Sequence, residues 1–206
     1  MNKYLISIMA LLVAACSSVD KQNQNLAEPD VVLSRIDNMS ERPNWIKESE
    51  IMTVQDGYVY FTGTQSSPVD SNVEQLYRVA ELNAKSGIAK AIEQKLQFVF
   101  QNAEEGYSMD ASQARFMGME ATEIMKTGSI RPYKKYWEKI LTTNGDGQRV
   151  QKIQMFAIVR IPEADFKKAI LDAARKREGK GGLSEDFAKK VNSQWDEIVK
   201  ESNTTN

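Results

Sequence analysis

The chain has 206 residues with 27 basic and 28 acidic side chains, one cysteine and no histidine, so its formal net charge is -1. This balance disfavours a nucleic-acid partner, and the lack of histidine removes the commonest metal ligand and general base. A single cysteine forms no disulfide within the chain. Because the commonest metal ligand and general base is absent, we predict a protein that is not an enzyme, with no catalytic residues, no metal and no cofactor.

The first sixteen residues have the pattern of a bacterial secretory signal. Lys3 gives a basic start, an apolar run from Tyr4 to Val13 follows, and two small residues precede Cys16. The apolar run is too short to span a bilayer as a helix. The segment Val13-Ala14-Ala15-Cys16 resembles the lipobox of bacterial lipoproteins, in which the peptide is cut before the cysteine and lipid is attached to it. We therefore predict residues 1–15 as a signal peptide and Cys16 as the lipidation site.

The residues that follow Cys16 predict where the anchored protein resides. The resemblance to lipoproteins implies two or three acyl chains, and stable attachment to a membrane takes at least two such signals. Ser17 and Ser18 stand where inner-membrane lipoproteins commonly carry an aspartate. The resemblance therefore implies the periplasmic leaflet of the outer membrane. Residues 16–40 are polar and poorly periodic, which predicts a lipidated tether.

A folded domain is predicted over residues 41–161. Pro43-Asn44-Trp45-Ile46 reads as an entry segment pinned to a core, because the proline fixes its backbone and the tryptophan supplies a large apolar group. The run Gly57 to Thr64 is rich in aromatic and β-branched residues, which predicts a strand. Tyr58, Tyr60 and Thr62 then share one face of that strand, and Val59 and Phe61 share the other.

Two helices are predicted next. The first, over residues 71–102, carries a stripe of small residues that permits close packing against a sheet, or helix pairing in an oligomer. The stripe consists of Ala80, Ala84, Gly87 and Ala91. The second, over residues 110–126, is rich in methionine, and we favour core filling over a soft-metal site for Met109, Met117, Met119 and Met125.

The best-supported structural prediction is an antiparallel hairpin over residues 129–161. Two strand-like runs, 129–143 and 148–161, flank the turn sequence Asn144-Gly145-Asp146-Gly147. In the second run, one face is predicted to be core: Ile153, Met155, Ala157, Val159 and Ile161. In the first run, basic and aromatic residues interleave: Arg131, Lys134, Lys135 and Lys139 with Tyr133, Tyr136 and Trp137. That combination binds anionic polymers in some proteins, but we favour an exposed edge strand that uses lysines to block unwanted pairing.

Residues 162–206 are predicted as a C-terminal helical extension. One helix runs from Pro162 to about Arg177, and the glycine-rich hinge 179–182 follows it. A last helix begins at Ser184 and either docks on the domain or is presented to a partner. The predicted fold is thus α+β: a small antiparallel sheet, formed by a strand near 58–64 and the hairpin 129–161, covered by a long helix, with two appended C-terminal helices.

The order of these motifs resembles the bacterial twenty-kilodalton lipoprotein antigen family, which includes outer-membrane lipoproteins of the flagellar basal body. Pro43 to Ile46, the strand Tyr60-Phe61-Thr62-Gly63-Thr64 and the alanine-rich helix through Ala80 and Ala84 carry the resemblance. It implies an α+β domain with no established enzymatic residues. Gly63-Thr64 departs from the glycine repeats that are commoner in the family.

The resemblance implies a non-enzymatic outer-membrane lipoprotein that scaffolds an envelope assembly such as a flagellar ring. Its partners would be the membrane, through the lipid on Cys16, and either envelope proteins or further copies of the chain. One alternative is a periplasmic glycan-cleaving enzyme that uses carboxylates alone, Glu104 with Glu105 or Glu120 with Glu123. Another is a ligand carrier, which needs a large apolar cavity between helix and sheet.

Overall fold

The computed structural model describes residues 28–46, 52–101 and 110–177, together with Lys189, Ser193 and Gln194. Several predictions lie outside the described residues: the signal peptide, lipidation at Cys16, the Glu104–Glu105 pair, Met109, the glycine hinge and nearly all of the last helix.

The described residues form an antiparallel sheet of five strands and three α-helices, which confirms the predicted α+β class. The strands are β1 (Val31–Arg35), β2 (Met52–Gln55), β3 (Tyr58–Pro68), β4 (Arg131–Thr143) and β5 (Arg149–Pro162). The helices are α1 (Val73–Gln101), α2 (Ala111–Lys126) and α3 (Glu163–Arg177). The strand order across the sheet is β1-β4-β5-β3-β2.

Two tight turns set the register of the sheet. Between β4 and β5, the Asn144 side chain accepts hydrogen bonds from the backbone N–H groups of Asp146 at 3.1 Å and Gln148 at 2.8 Å. Between β2 and β3, Asp56 and Gly57 both have positive φ, 51° and 74°, as a two-residue hairpin turn requires. The first turn confirms the predicted hairpin, and the second joins β3 to a strand that was not predicted.

The chain becomes ordered earlier than predicted. β1 pairs with β4, with Val31 opposite Leu141 and Arg35 opposite Glu138. A tether that extends to residue 40 is therefore wrong for residues 31–38, which form β1 and a short 3₁₀ turn, Ile36–Asn38. The strand forms because β4 supplies the backbone hydrogen-bond partners that this short stretch lacks on its own.

The edge-strand prediction for β4 is correct over only part of its length. Residues Glu138 to Leu141 pair with β1, so β4 is an interior strand there and the prediction is wrong. From Arg131 to Trp137, no other described strand pairs with the outer side of β4. Lys139 therefore lies inside the sheet opposite Ser34, whereas Lys134 and Lys135 lie on an open edge.

The long helix α1 lies directly on β3. Its small residues Ala80 and Ala84 are fully buried, and a Cβ added at Gly63 would stand 2.1 Å from the Ala80 carbonyl oxygen. Such contact requires glycine on the strand and alanine on the helix, so the predicted close packing of this part of the stripe is confirmed. Gly118 of α2 plays the same role against α1, where its Cβ would stand 2.3 Å from the Ala89 carbonyl oxygen.

Helix α3 belongs to the core, so its prediction as an appended helix beyond residue 161 is wrong. Phe166, Ala169, Ile170 and Ala173 are buried in the same cluster as residues of α1, α2, β2 and β3. The Phe166 ring stands 5.9 Å from the ring of Phe61, measured between centroids. The domain extends to at least Arg177, because the apolar face of α3 completes the layer of helices.

The opposite face of the sheet is covered over one half. Tyr136 and Phe156 are buried there beneath the entry segment, with Ile46 in the same cluster and Trp45 and Ile36 packed against it. The Trp45 and Tyr136 rings meet edge to face at 6.4 Å. The half of this face nearest the start of β4 lacks such a cover among the residues described.

Candidate binding surface on the open half of the sheet

Six side chains gather on the uncovered half of the sheet, and we call them the basic tyrosine patch. They are Tyr58 and Tyr60 of β3, Arg131, Tyr133 and Lys134 of β4, and Arg160 of β5. Alternation along β3 explains the tyrosines, because Val59 and Phe61 are buried beneath the helices and their neighbours point the other way. Tyr133 is 40% exposed, so the patch is accessible at its centre.

Cross-strand pairing brings these residues together from three separate parts of the sequence. Arg160 is the direct partner of Arg131 on one side and of Tyr60 on the other. The register shifts between Pro132 and Lys134, which leaves Tyr133 as an extra residue in β4. The bulge lets Tyr133 and Lys134 share the open face although they are adjacent in sequence.

The patch is held in place by contacts between cations and aromatic rings. The guanidinium carbon of Arg160 lies 4.7 Å from the ring centroid of Tyr58 and 4.6 Å from that of Tyr133. The Tyr60 and Tyr133 rings stand 5.4 Å apart, and Lys134 Nζ lies 4.8 Å from the Tyr133 ring centroid. Each such contact stabilises by roughly 0.5–1 kcal/mol at an exposed site, so the side chains are arranged before any partner binds.

The patch carries three cationic side chains. Arg131, Lys134 and Arg160 make no ion pair within the described part of the chain, and Arg160 Nε is buried without a hydrogen-bond partner there. Burial raises the pKa of Tyr60. The neighbouring Tyr133 raises that pKa further, and the Arg160 guanidinium lowers it. Asp56, on the adjoining turn, is the carboxylate that acts on Tyr60. Tyr60 is therefore neutral at pH 7.

The structure divides the basic and aromatic residues predicted on β4 among three environments. Tyr133, Lys134 and Arg131 join the patch, but Lys135 lies on the helix side, with Nζ 4.8 Å from the Tyr77 ring centroid and 4.0 Å from a Glu74 carboxylate oxygen. Of the remaining residues, Tyr136 is buried, Trp137 is partly buried against the cluster that contains Leu76, and Lys139 is partly buried opposite Ser34.

The sequence singles out five of the six patch residues, but it does not predict Arg160 or the pairing that brings the six together. The Tyr58–Tyr60 alternation was recognised, and Arg160 stands out as a charge within an otherwise apolar stretch of β5. Neither feature indicates that β3 and β5 pair, because about ninety residues separate them and no local pattern encodes that contact.

A buried carboxylate fixes the entry segment beside the patch. Glu138 is fully buried and accepts a 2.8 Å hydrogen bond from the Tyr136 hydroxyl. Arg42 forms an ion pair with Glu138, and Arg35 Nε lies 3.8 Å from it. Burial, together with the hydrogen bond to Glu138, raises the pKa of Tyr136 to about 12. The two arginines come from outside the sheet's central strands, so this cluster joins the start of the chain to β4.

The carboxylates considered for a glycan-cleaving enzyme lie in surface ion pairs where the structure describes them. Glu120 of α2 pairs with Lys176 of α3, and Glu123 pairs with Lys126 one turn along α2. Within the described ranges, no group of three or more histidine, cysteine, aspartate or glutamate residues is arranged to hold a metal ion. Met117 and Met125 fill the core, whereas Met119 is exposed.

The apolar pocket between β2, α1 and α3 is too small for a ligand. It is lined by Met52, Ile92, Lys95, Leu96, Phe166 and Ile170, and its volume is about 10 Å³. Small-molecule sites enclose roughly 300–1,000 Å³. This pocket gives the ligand-carrier hypothesis no support.

None of the helices described is long and apolar enough to cross a membrane. Compared with protein-family models and with curated proteins, the chain gives no significant match. The resemblance to the twenty-kilodalton lipoprotein antigen family thus remains a prediction from its motifs.

Proposed function

We propose that the protein is an outer-membrane lipoprotein, anchored in the periplasmic leaflet by lipid on Cys16, that serves as a non-catalytic component of an envelope assembly such as a flagellar basal-body ring. The single observation that carries the assembly role is the basic tyrosine patch on the uncovered half of the sheet. Tyrosine and arginine are enriched at protein interfaces and among the residues that contribute most to binding.

The arrangement of the chain is compatible with an anchored assembly component. Between Cys16 and Val31 lie enough residues to span up to about 50 Å when fully extended, at 3.3–3.6 Å per residue. The domain can therefore reach partners away from the bilayer surface while the lipid retains it at the membrane. Of the two carboxylate pairs that the enzymatic alternative names, Glu120 and Glu123 lie in surface ion pairs, and Glu104 and Glu105 lie outside the described residues.

The anchor is tested by replacing Cys16 with serine in cells that express the full chain. Wild-type protein labelled with an alkyne fatty acid should carry the label and fractionate with outer membranes. Cys16→Ser should lose the label and leave the membrane fraction, while Ser17→Ala, beside it, should behave as wild type. An unlabelled wild-type protein with the same size and location as Cys16→Ser would contradict the proposal.

A further inference from the structure

The basic tyrosine patch has the charge and composition of a docking surface for a protein. We infer that it binds an acidic surface of a different envelope protein, an inference that rests on the proposed envelope role. Three cations that form no ion pair among the described residues lie among three tyrosines. The Arg160 guanidinium is held between two rings, which lowers the entropy lost when a carboxylate binds it. Aspartate and glutamate side chains supply the complementary charge.

The patch lies far from the point where the tether joins the domain. Val31 begins β1 and lies opposite Leu141 of β4. The patch includes Arg131, which lies at the other end of β4. The ten residue steps from Arg131 to Leu141 correspond to about 33 Å along β4, at 3.3 Å per residue. The patch therefore does not adjoin the attachment point, and a partner protein can reach it while the lipid holds the chain.

The sign of the charge argues against a second copy of the chain as the occupant. A symmetric dimer formed through this face would place the same patch on both sides of the interface. Arg131, Lys134 and Arg160 would then oppose their own equivalents across the interface. Like charges brought together in this way disfavour association. A symmetric dimer through this face is therefore disfavoured, and an acidic surface of a different protein fits the patch better.

The open edge of β4 is poorly suited to the addition of a partner strand. Pro132 lacks a backbone N–H, Tyr133 is the extra residue of a bulge, and Lys134 and Lys135 follow. These are features by which natural sheets prevent pairing at an edge. The partner consequently docks through side chains on the face of the sheet, and an acidic patch or loop fits this surface better than an extended strand.

The charge requirement is tested with two double variants that change the net charge equally. Arg131→Glu with Lys134→Glu reverses the patch, and Lys90→Glu with Arg115→Glu reverses two exposed charges of α1 and α2 that make no ion pair in the described structure. Purified full-length protein should bind poly-L-glutamate, and the patch variant should weaken that binding at least about tenfold while the control changes less than about twofold. Equal thermal unfolding midpoints show that both variants are folded.

The identity of the occupant is tested in intact cells with a photoreactive benzoylphenylalanine at Gln55, which is exposed and pairs with Tyr58 on the open face. We expect an adduct to a different envelope protein that is lost in the patch variant and retained in the control variant. Leu82, which is 63% exposed on α1, provides the control position for the photoreactive group. An adduct to a second copy, an adduct to lipid alone, or an adduct that survives charge reversal overturns the inference. If no adduct forms while the lipidated protein still sediments in a large complex, the inference fails and the proposed function stands.

Discussion

At the scale of single residues, Glu138 determines how the start of the ordered chain is held on the sheet. Its carboxylate is fully buried and contacts Tyr136, Arg42 and Arg35. A buried charge is tolerated only when it is paired and hydrogen-bonded. Tyr136 donates a hydrogen bond to the carboxylate, and the two arginines supply the opposite charge. The cluster therefore provides specificity, since β1 and the entry segment fit β4 only in the register that satisfies Glu138.

Glu138→Ala should lower the free energy of unfolding by about 3 kcal/mol, because the variant leaves two arginines beside an apolar cluster without their carboxylate. Urea denaturation followed by circular dichroism measures the change. Glu123→Ala is the matched control, since it breaks an exposed pair with Lys126 that contributes less than about 1 kcal/mol. Equal losses in the two variants would contradict a structural role for Glu138.

The raised pKa of Tyr136 predicts an effect at alkaline pH. The folded protein keeps this phenol protonated up to a pKa of about 12, whereas the unfolded chain releases the proton near 10. Between those values the folded state binds more protons, so stability is intact below pH 10 and decreases as the pH rises from 10 toward 12. Urea unfolding at a series of alkaline pH values measures the decrease, and it should be smaller in Tyr136→Phe. An unchanged slope in that variant would assign the effect to other groups.

Gly63→Ala should destabilise the protein by about 3 kcal/mol or more, because its Cβ would clash with the backbone of α1 at Ala80 and Ala84. Thermal and urea unfolding both report the loss. Gly128→Ala is the control, since a Cβ at that position meets no atom within 4 Å. A Gly63→Ala protein as stable as this control would show that α1 does not lie on β3 as described.

At the scale of secondary-structure elements, the sequence predicted what is local and missed what depends on distant partners. The hairpin of β4 and β5 and the three helices were predicted to within a few residues, because turn dipeptides, helix periodicity and end signals are local. β2 was missed although Asp56-Gly57 is a strong hairpin signal. β1 was missed because it forms by pairing with β4, which is distant in the sequence. The core position of α3 was missed because it depends on packing against elements that are also distant in the sequence.

The position of α3 gives a prediction at this scale. Phe166→Ala should cost about 3–5 kcal/mol, because Phe166 is buried against Phe61 in the main core. Phe98→Ala is the same substitution at a side chain that is 47% exposed on α1, and its cost should be far smaller. Urea unfolding of both variants measures the difference. A small effect for Phe166→Ala would restore the interpretation of α3 as an appended helix.

At the scale of the whole molecule, the predicted membrane attachment and the candidate binding surface belong to different parts of the chain. β1 begins at one end of β4 and the basic tyrosine patch lies at the other, on the face of the sheet opposite the three described helices. Composition and the lipobox resemblance predicted attachment, whereas the patch required the structure, because its residues come from β3, β4 and β5. On the proposed function, the anchor would hold the protein at the envelope and the patch would bind its partner.

The most direct test of the proposed assembly role is the sedimentation of full-length protein extracted from native envelopes in mild detergent. Wild-type protein and the Lys90→Glu, Arg115→Glu control should migrate in a complex much larger than the free chain. The Arg131→Glu, Lys134→Glu variant should migrate as free protein while it retains its lipid. Wild-type protein that is recovered only as a free monomer would contradict the central claim.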